Sequence, residues 1–174
     1  MKGYKEEGFT LIELLIVVAI ISIIAAIAVP GLLRARMTGN ETSAIASLKV
    51  TTSSQVAYTA SCGNGGYATS FTVLGTPVVA GSEAFISADL GGSATPQKSG
   101  YNFTLTPGAA GTGPNDCKGT ATAAGYYATA APQTFGTTGT RAFAVNAGNT
   151  IWQSTTNAVP TEPFSASATV TPVQ

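Results

Sequence analysis

The sequence predicts an α+β protein in which the second half of a long N-terminal helix packs on a small antiparallel β-sheet head, while its apolar first half projects. Two observations predict this class. Residues 14–33 contain no charged side chain, and as a helix they would measure about 30 Å, the thickness of the hydrocarbon core of a bilayer. Beyond residue 62, short β-prone runs alternate with clusters of turn residues.

Composition excludes several classes of active site. The chain has 174 residues and no histidine, which removes Ser-His-Asp and Cys-His catalysis and histidine-ligated zinc. It contains neither a phosphate-binding G-x-x-x-x-G-K-[ST] sequence nor a dinucleotide-binding glycine motif. Eight basic residues balance eight acidic ones, so no net field attracts nucleic acid. These absences do not exclude an enzyme, but they favour a non-enzymatic protein, and we predict no catalytic residue, cofactor, metal or specific nucleic-acid partner.

The N-terminal helix is predicted to run from Phe9 to about Ser61 and to have two characters. Up to Leu33 it is apolar on every face, which is typical of a membrane span. From Thr38 it becomes amphipathic, and its apolar stripe is expected to pack against a sheet. That predicted stripe consists of Ile45, Leu48, Thr52 and Val56, with Lys49, Ser53 and Ser54 off it. The turn residues 62–66 are expected to end the helix.

Pro30, Gly31 and Gly39 interrupt the helical pattern between these two halves. Proline removes one backbone hydrogen bond and glycine lowers the local helix propensity. The segment 30–39 therefore has two interpretations of equal weight. It is a simple kink or the end of one helix, or it is a segment that unwinds for a function.

The head is predicted to contain four strands, and its best defined part is a hairpin. Residues 141–145 alternate in polarity, and a four-residue turn at 146–149 leads into the next run. Two long loops are expected at 75–98 and 108–119, and a proline-containing tail at 155–174 is expected to lie irregularly over the sheet. The predicted strands are Tyr101–Thr106, Ala123–Ala130, Arg141–Asn146 and Thr150–Ser154.

The uncharged stretch by itself admits more than one interpretation. It could be a secretory signal peptide cleaved after Ala28, with Lys2 and Lys5 as its basic region, or it could be a plain membrane anchor. Both interpretations must account for Glu13, which lies at the start of the apolar run. An acidic side chain in a membrane costs several kcal/mol unless it is paired or interfacial, and it usually marks a function.

The sequence Gly-Phe-Thr-Leu-Ile-Glu at residues 8–13, followed by the apolar stretch and Pro30, resembles the N-terminus of a type IV prepilin. The resemblance is close over residues 8–36. It implies that a prepilin peptidase cuts between Gly8 and Phe9 on the cytoplasmic side and methylates the new amine of Phe9. It also implies that Glu13 faces the Phe9 ammonium of a neighbouring subunit during assembly. A buried carboxylate and a buried amine offset much of each other's desolvation cost.

The same resemblance implies a division of the chain and a set of partners. Residues 1–8 would be a leader, 9–33 a membrane and filament-core helix, 34–61 an amphipathic helix continuing into the head, and 62–174 the β-rich head with its C-terminal tail. The implied partners are further copies of the chain in a helical filament, the peptidase, and an assembly platform with its ATPase motor. The precursor would lie in the bacterial inner membrane and the assembled pilus outside the cell. Related proteins unwind near Pro30 when they pack into filaments.

Cys62 and Cys117 are the only cysteines in the chain. In an exported head the oxidising compartment favours a disulfide, and two cysteines allow only one pairing; two free thiols are the alternative. Asn115, Asp116 and Asp89 have side-chain oxygens of the kind that bind calcium, but they are too few and lack the spacing of an EF-hand loop.

These expectations together predict a structural subunit of a type IV pilus, used for adhesion, motility or DNA uptake. Two alternatives remain open at this point. One is a pseudopilin of a type II secretion system, which would share the N-terminal motif. The other is a secreted binding domain released by cleavage after Ala28, which would lose the helix altogether.

Overall fold

The computed structural model describes residues 8–173 as two compact units, one ending at Arg36 and the other beginning at Met37. A single helix, α1 (Leu11–Ser61), runs through both units. It begins two residues later than predicted and ends where the sequence predicts, at the turn residues 62–66. Because α1 is unbroken at Pro30, the possibility that one helix ends there is wrong. Of the predicted leader 1–8, residues 1–7 lie outside the described part of the chain.

The second unit contains two short helices and eight strands in addition to the end of α1. Six strands form one antiparallel sheet in the order β1-β2-β5-β6-β7-β8, and the other two form a separate antiparallel pair. The α+β class with a long N-terminal helix is therefore confirmed. The bounds are α2 (Phe71–Leu74), α3 (Ala88–Gly91), β1 (Gln97–Lys98), β2 (Tyr101–Pro107), β3 (Thr112–Asn115), β4 (Ala121–Ala123), β5 (Tyr126–Pro132), β6 (Ala142–Asn146), β7 (Trp152–Ser154) and β8 (Val170–Pro172).

The core of this unit lies between the end of α1 and one face of the six-stranded sheet. Strand β2 shows the period of two expected of a sheet with one buried face, because Tyr101, Phe103 and Leu105 point into the core. Small residues on β5 allow close packing beside them, and Leu48 and Tyr58 contribute from α1. The fully buried aromatic rings supply the largest apolar areas in the core.

The buried stripe of α1 differs from the predicted one. Val56 is exposed, whereas Ser54 and Gln55 are buried. The reason is hydrogen bonding, because the Gln55 side chain both donates to the Ala68 carbonyl (2.8 Å) and accepts from the Ala68 amide (2.9 Å). A polar side chain that is satisfied in this way can be buried at little cost, and hydrophobic periodicity cannot detect it.

Several predictions for the head need correction. The predicted strand Ala123–Ala130 is two strands in different sheets, since the chain turns at 124–125, where the Gly125 carbonyl accepts from the Gly108 amide. The predicted loop 75–98 contains α3 and β1, and the predicted loop 108–119 contains β3. The predicted hairpin is present as β6 and β7.

The C-terminal tail lies over the sheet as predicted, but it is more regular than expected. Its last strand, β8, pairs with β7 and becomes an edge of the six-stranded sheet. Before that strand, the tail crosses the outer face of the sheet, where the Phe164 ring packs beside Tyr127 and stacks on Trp152 with centroids 5.6 Å apart. Glu162 accepts a hydrogen bond from the Asn146 amide group at 2.7 Å. The aromatic and polar contacts thus hold the tail against the sheet.

Candidate functional site

The peptide bond between Gly8 and Phe9 lies before the first turn of α1 and is open to solvent. Neither residue belongs to a helix or strand, and the Phe9 side chain is 86% exposed. A Cβ atom built on Gly8 would meet nothing within 4 Å. Packing in the described structure therefore does not require glycine at position 8, which leaves recognition of this junction as a reason for the residue.

Thr10 and Glu13 form a capping box at the start of α1. The Glu13 carboxylate accepts hydrogen bonds from the Thr10 amide (3.0 Å) and the Thr10 hydroxyl (2.6 Å), and the Thr10 hydroxyl oxygen accepts from the Glu13 amide (3.3 Å). This arrangement satisfies amides that have no partner within the helix, and it places an anion at the positive end of the helix dipole. Sequence reasoning missed this role, although Thr-x-x-Glu is the known signature of the motif.

The side chains of α1 from Leu11 to Leu33 are exposed along their whole length. In the described part of the chain, α1 is the helix that is long and apolar enough to cross a membrane, judged by length and composition. Within this stretch, the Ser22 hydroxyl donates to the Val18 carbonyl at 2.7 Å, so this polar group has its hydrogen bond within the helix. Such a surface is stable in lipid or against another protein, and costly in water.

Pro30, Gly31 and Gly39 lie inside α1 without making a packing contact that explains them. A Cβ atom would meet nothing within 4 Å at either glycine. Pro30 lacks the amide that would bond to the carbonyl of Ala26, so the helix has a weak point there although it remains continuous. The proposed unwinding of this segment stays a prediction.

An ion pair joins α1 to the sheet near the start of the second unit. Glu41 is 4% exposed, and its carboxylate accepts from the Arg141 guanidinium at 2.6 Å and 2.8 Å and from the Thr140 amide at 2.8 Å. Burial opposes ionisation of Glu41, but the hydrogen bonds of Thr140 and Arg141 outweigh it and hold the pKa of the carboxyl below its usual value. The other Arg141 nitrogen donates to Gln153 on β7 at 2.7 Å.

Because the pKa of Glu41 is lowered on folding, its contribution to stability should be present above the ordinary glutamate pKa of about 4.3 and lost as the pH falls through the folded-state pKa. Glu41→Gln should lower the free energy of unfolding by about 2 kcal/mol near pH 7 and by less in acid. Urea unfolding of the detergent-solubilised chain, followed by Trp152 fluorescence, measures this difference. Glu83→Gln is the matched control, since Glu83 is exposed. Equal losses at pH 7 and pH 3 would contradict the assignment.

At the other end of α1, a disulfide joins Cys62 to Cys117 across a sequence separation of 55 residues. The Cys117 amide donates to the Cys62 carbonyl at 2.7 Å. Beside this bond, the Tyr58 hydroxyl donates to the Asp116 carboxylate at 2.8 Å, which also accepts from the Thr120 amide at 2.7 Å. Burial opposes ionisation of Asp116, but these hydrogen bonds lower the pKa of its carboxyl below the usual value. Burial, with Asp116 as a neighbour, raises the pKa of Tyr58.

Removing the disulfide with Cys62→Ser and Cys117→Ser should lower the free energy of unfolding by about 4 kcal/mol, because a closed loop of this length restricts the unfolded chain. The loss should be seen only in oxidising buffer. In reductant, the natural chain should unfold at the same urea concentration as the double variant. A variant that is less stable than the natural chain by the same amount in both buffers would show that the bond itself contributes little.

Within residues 8–173, no group of three acidic or cysteine side chains is placed to hold a metal ion. Asp89 pairs with Lys98 at 2.6 Å, and Asp116 is engaged by Tyr58 and backbone amides as described above.

Two comparisons with known proteins found a match. The family model described as the prokaryotic N-terminal methylation motif matches residues 4–29. A stretch of 38 residues is 60% identical to the type IV wide pilus major component PilA4 of Thermus thermophilus, and it covers 22% of this chain and 29% of that protein. No solved structure matches the chain significantly. These findings confirm the predicted resemblance to a type IV pilin.

Proposed function

We propose that this chain, which carries the N-terminal segment of a type IV pilin, is a structural subunit that is cleaved, N-methylated and polymerised into a surface pilus. The observation that supports the proposal is that the methylation motif and an exposed apolar helix overlap in the chain. The methylation motif at residues 4–29 spans the start of α1, and from Leu11 to Leu33 that helix exposes its apolar side chains. A processing signal and a surface that must be buried thus occupy one segment.

Before assembly, the bilayer is the solvent for this segment. About 20 uncharged residues are long enough to span it, and the capping box keeps Glu13 and the first amides of α1 paired at the membrane interface. The next charges after the span, Arg34 and Arg36, lie at its far end. These charges do not set the orientation, which rests on the methylation motif at residues 4–29. With the processing site on the cytoplasmic side, the precursor would wait in the inner membrane with its head outside the cytoplasm.

Processing acts on the Gly8–Phe9 bond. A prepilin peptidase on the cytoplasmic side would remove residues 1–8 and methylate the amine of Phe9. The absence of packing around Gly8 and the exposure of Phe9 support access of an enzyme to this bond. The remainder of the helix would be retained, in contrast to a secretory signal peptide.

Assembly transfers the apolar helix from lipid to other copies of the same helix. Contacts between unlike surfaces of identical subunits do not close, so they generate a helical filament. Glu13 would pair with the Phe9 ammonium of a neighbouring copy, and an unpaired Glu13 would penalise other axial registers. Extraction from the membrane requires work, which an assembly platform with an ATPase motor would supply. Unwinding at Pro30, Gly31 and Gly39 would adjust the helix to this packing.

Shearing of surface filaments from the native host tests the proposal. Cells that contain the gene should release filaments in which this chain is abundant, and a deletion strain should lack them until the gene is restored. Abundance in long surface filaments also favours a pilus over a secretion pseudopilus, and adhesion, motility and DNA uptake of the two strains can then be compared. Recovery of the chain only as a soluble monomer, with filaments unchanged in the deletion strain, would contradict the proposal.

A further inference from the structure

Two charged side chains of the head have no partner in the described part of the chain. The head acids and bases are otherwise engaged, for example as Glu41 with Arg141 and Asp89 with Lys98. Lys49 and Glu83 are exposed, and neither makes an ion pair or a side-chain hydrogen bond within residues 8–173. They carry opposite charges, so each is a possible partner for the other in a second copy.

These two charges lie on opposite flanks of α1, so they cannot pair within one head. On one flank, the Ser54 hydroxyl donates to the carbonyl of Phe85, two residues beyond Glu83, at 2.7 Å. Lys49 precedes Ser54 by five residues, which places it roughly 140° around the helix. There it lines a groove together with Thr52 and the turn between β6 and β7. When two different surfaces of one subunit complement each other, identical subunits can associate head to tail.

The loop that carries Glu83 presents a preformed apolar tip. The Ser82 amide and hydroxyl both donate to the Val79 carbonyl, at 3.0 Å and 2.9 Å, which closes a tight turn with Gly81 at a φ of +88°. Val79 at the start of this turn is 66% exposed. A loop that is already ordered loses little conformational entropy when it docks.

The groove beside Lys49 has the size and lining to accept such a tip. Its volume is about 450 Å³. Its walls combine the apolar side chains of Ile151 and Val173 with four uncharged polar residues, Thr52, Ser53, Asn149 and Thr150. Among the described residues, Lys49 is the only charged one that lines the groove. An apolar tip with an adjacent carboxylate fits a groove that offers two apolar side chains and an adjacent ammonium.

We propose that in the filament the Val79–Glu83 turn of one head docks in the Lys49 groove of the next copy, so that Glu83 pairs with Lys49. The occupant is thus a second copy of this chain, and the contact rests on the proposed assembly through α1. It would add a lateral contact between heads to the contact between apolar helices, and it would set their relative rotation.

Charge reversal in full-length chains expressed in the native host tests this contact. Lys49→Glu and Glu83→Lys each place like charges together, and the amount of sheared filament should fall by about tenfold in each strain. The double variant with both reversals restores opposite charges and should recover the natural amount. Thr106→Glu, at an exposed position of β2 outside both surfaces, is the control for added negative charge and should assemble normally. The membrane level of each unassembled variant reports whether it folds.

A second experiment measures proximity directly. Lys49→Cys and Glu83→Cys combined in one chain should give, after oxidation of intact filaments, a ladder of crosslinked multimers on a denaturing gel. Normal assembly of both single reversals, or a double reversal as impaired as the single ones together with no ladder, would overturn the inference. These outcomes leave the proposed function intact, since filaments still form from the natural chain. Absence of filaments from the natural chain would instead defeat the proposed function.

Discussion

Gly8→Trp should leave the precursor uncleaved and abolish filaments, while Gly8→Ala should be processed more slowly. The reason lies in the open space around Gly8, where an added Cβ atom would meet nothing within 4 Å. A larger residue therefore does not disturb the fold, and its effect should fall on the fit of the scissile bond to the peptidase.

Immunoblotting of membranes measures this effect, since removal of residues 1–8 changes the mobility of the chain. Gly39→Ala is the matched control because a Cβ atom there also meets nothing within 4 Å, and it lies far from the junction in sequence; this variant should be cleaved at the natural rate. Gly8→Trp trimmed at the natural rate would show that the junction lies elsewhere.

Glu13→Gln should permit membrane insertion and cleavage but reduce filament formation by roughly a hundredfold or more. Removal of one partner from a buried ion pair leaves the other charge uncompensated, at a cost of about 3–5 kcal/mol. Glutamine is the informative substitution, because its amide oxygen can still accept the bonds that Thr10 donates to Glu13. The change removes the charge and keeps the helix cap. Glu13→Ala removes both and should assemble no better.

Thr10→Ala is the complementary variant, since it removes the capping hydroxyl and retains the carboxylate. Loss of this cap should cost about 1 kcal/mol of helix stability and leave filaments present. Sheared filament protein and cleaved subunit in the membrane are measured in all strains. If Thr10→Ala failed to assemble while Glu13→Gln assembled normally, Glu13 would act as a helix cap and its pairing with the Phe9 ammonium would be wrong.

Much of the architecture follows from features that are local in sequence. The uncharged stretch 14–33 predicts a membrane-length helix, and the turn residues 62–66 predict its end, because both depend on residues close together in the chain. The β6–β7 hairpin was predicted for the same reason, since alternation and turn chemistry coincide at 141–154.

Two features of the head that the sequence does not predict depend on contacts between distant residues. Gln55 is buried because its side chain bonds to the backbone of Ala68, and a hydropathy pattern shows only that glutamine is polar. The tail was predicted to be irregular because of its prolines, yet Phe164 has aromatic partners on β5 and β7 that only the folded sheet brings together.

The functional features also differ in whether the sequence alone predicts them. The motif at residues 8–13 was visible in the sequence, whereas the Lys49 groove needs two elements more than 90 residues apart, α1 and the β6–β7 turn at Asn149. The capping box between Thr10 and Glu13 was local and detectable from its spacing. Glu13 therefore has two properties to account for, its negative charge and its role as a hydrogen-bond acceptor in the helix cap.

The mature N-terminal residue tests the account most directly, because every assembly argument requires that α1 be retained. Mass spectrometry of the chain isolated from its native host gives this residue and any modification of it. The account predicts a chain that begins at N-methylated Phe9, with Glu13 and the apolar half of α1 present. A chain that begins at Val29 would contradict it, since residues 1–28 would then be a discarded signal peptide and the head a free secreted domain.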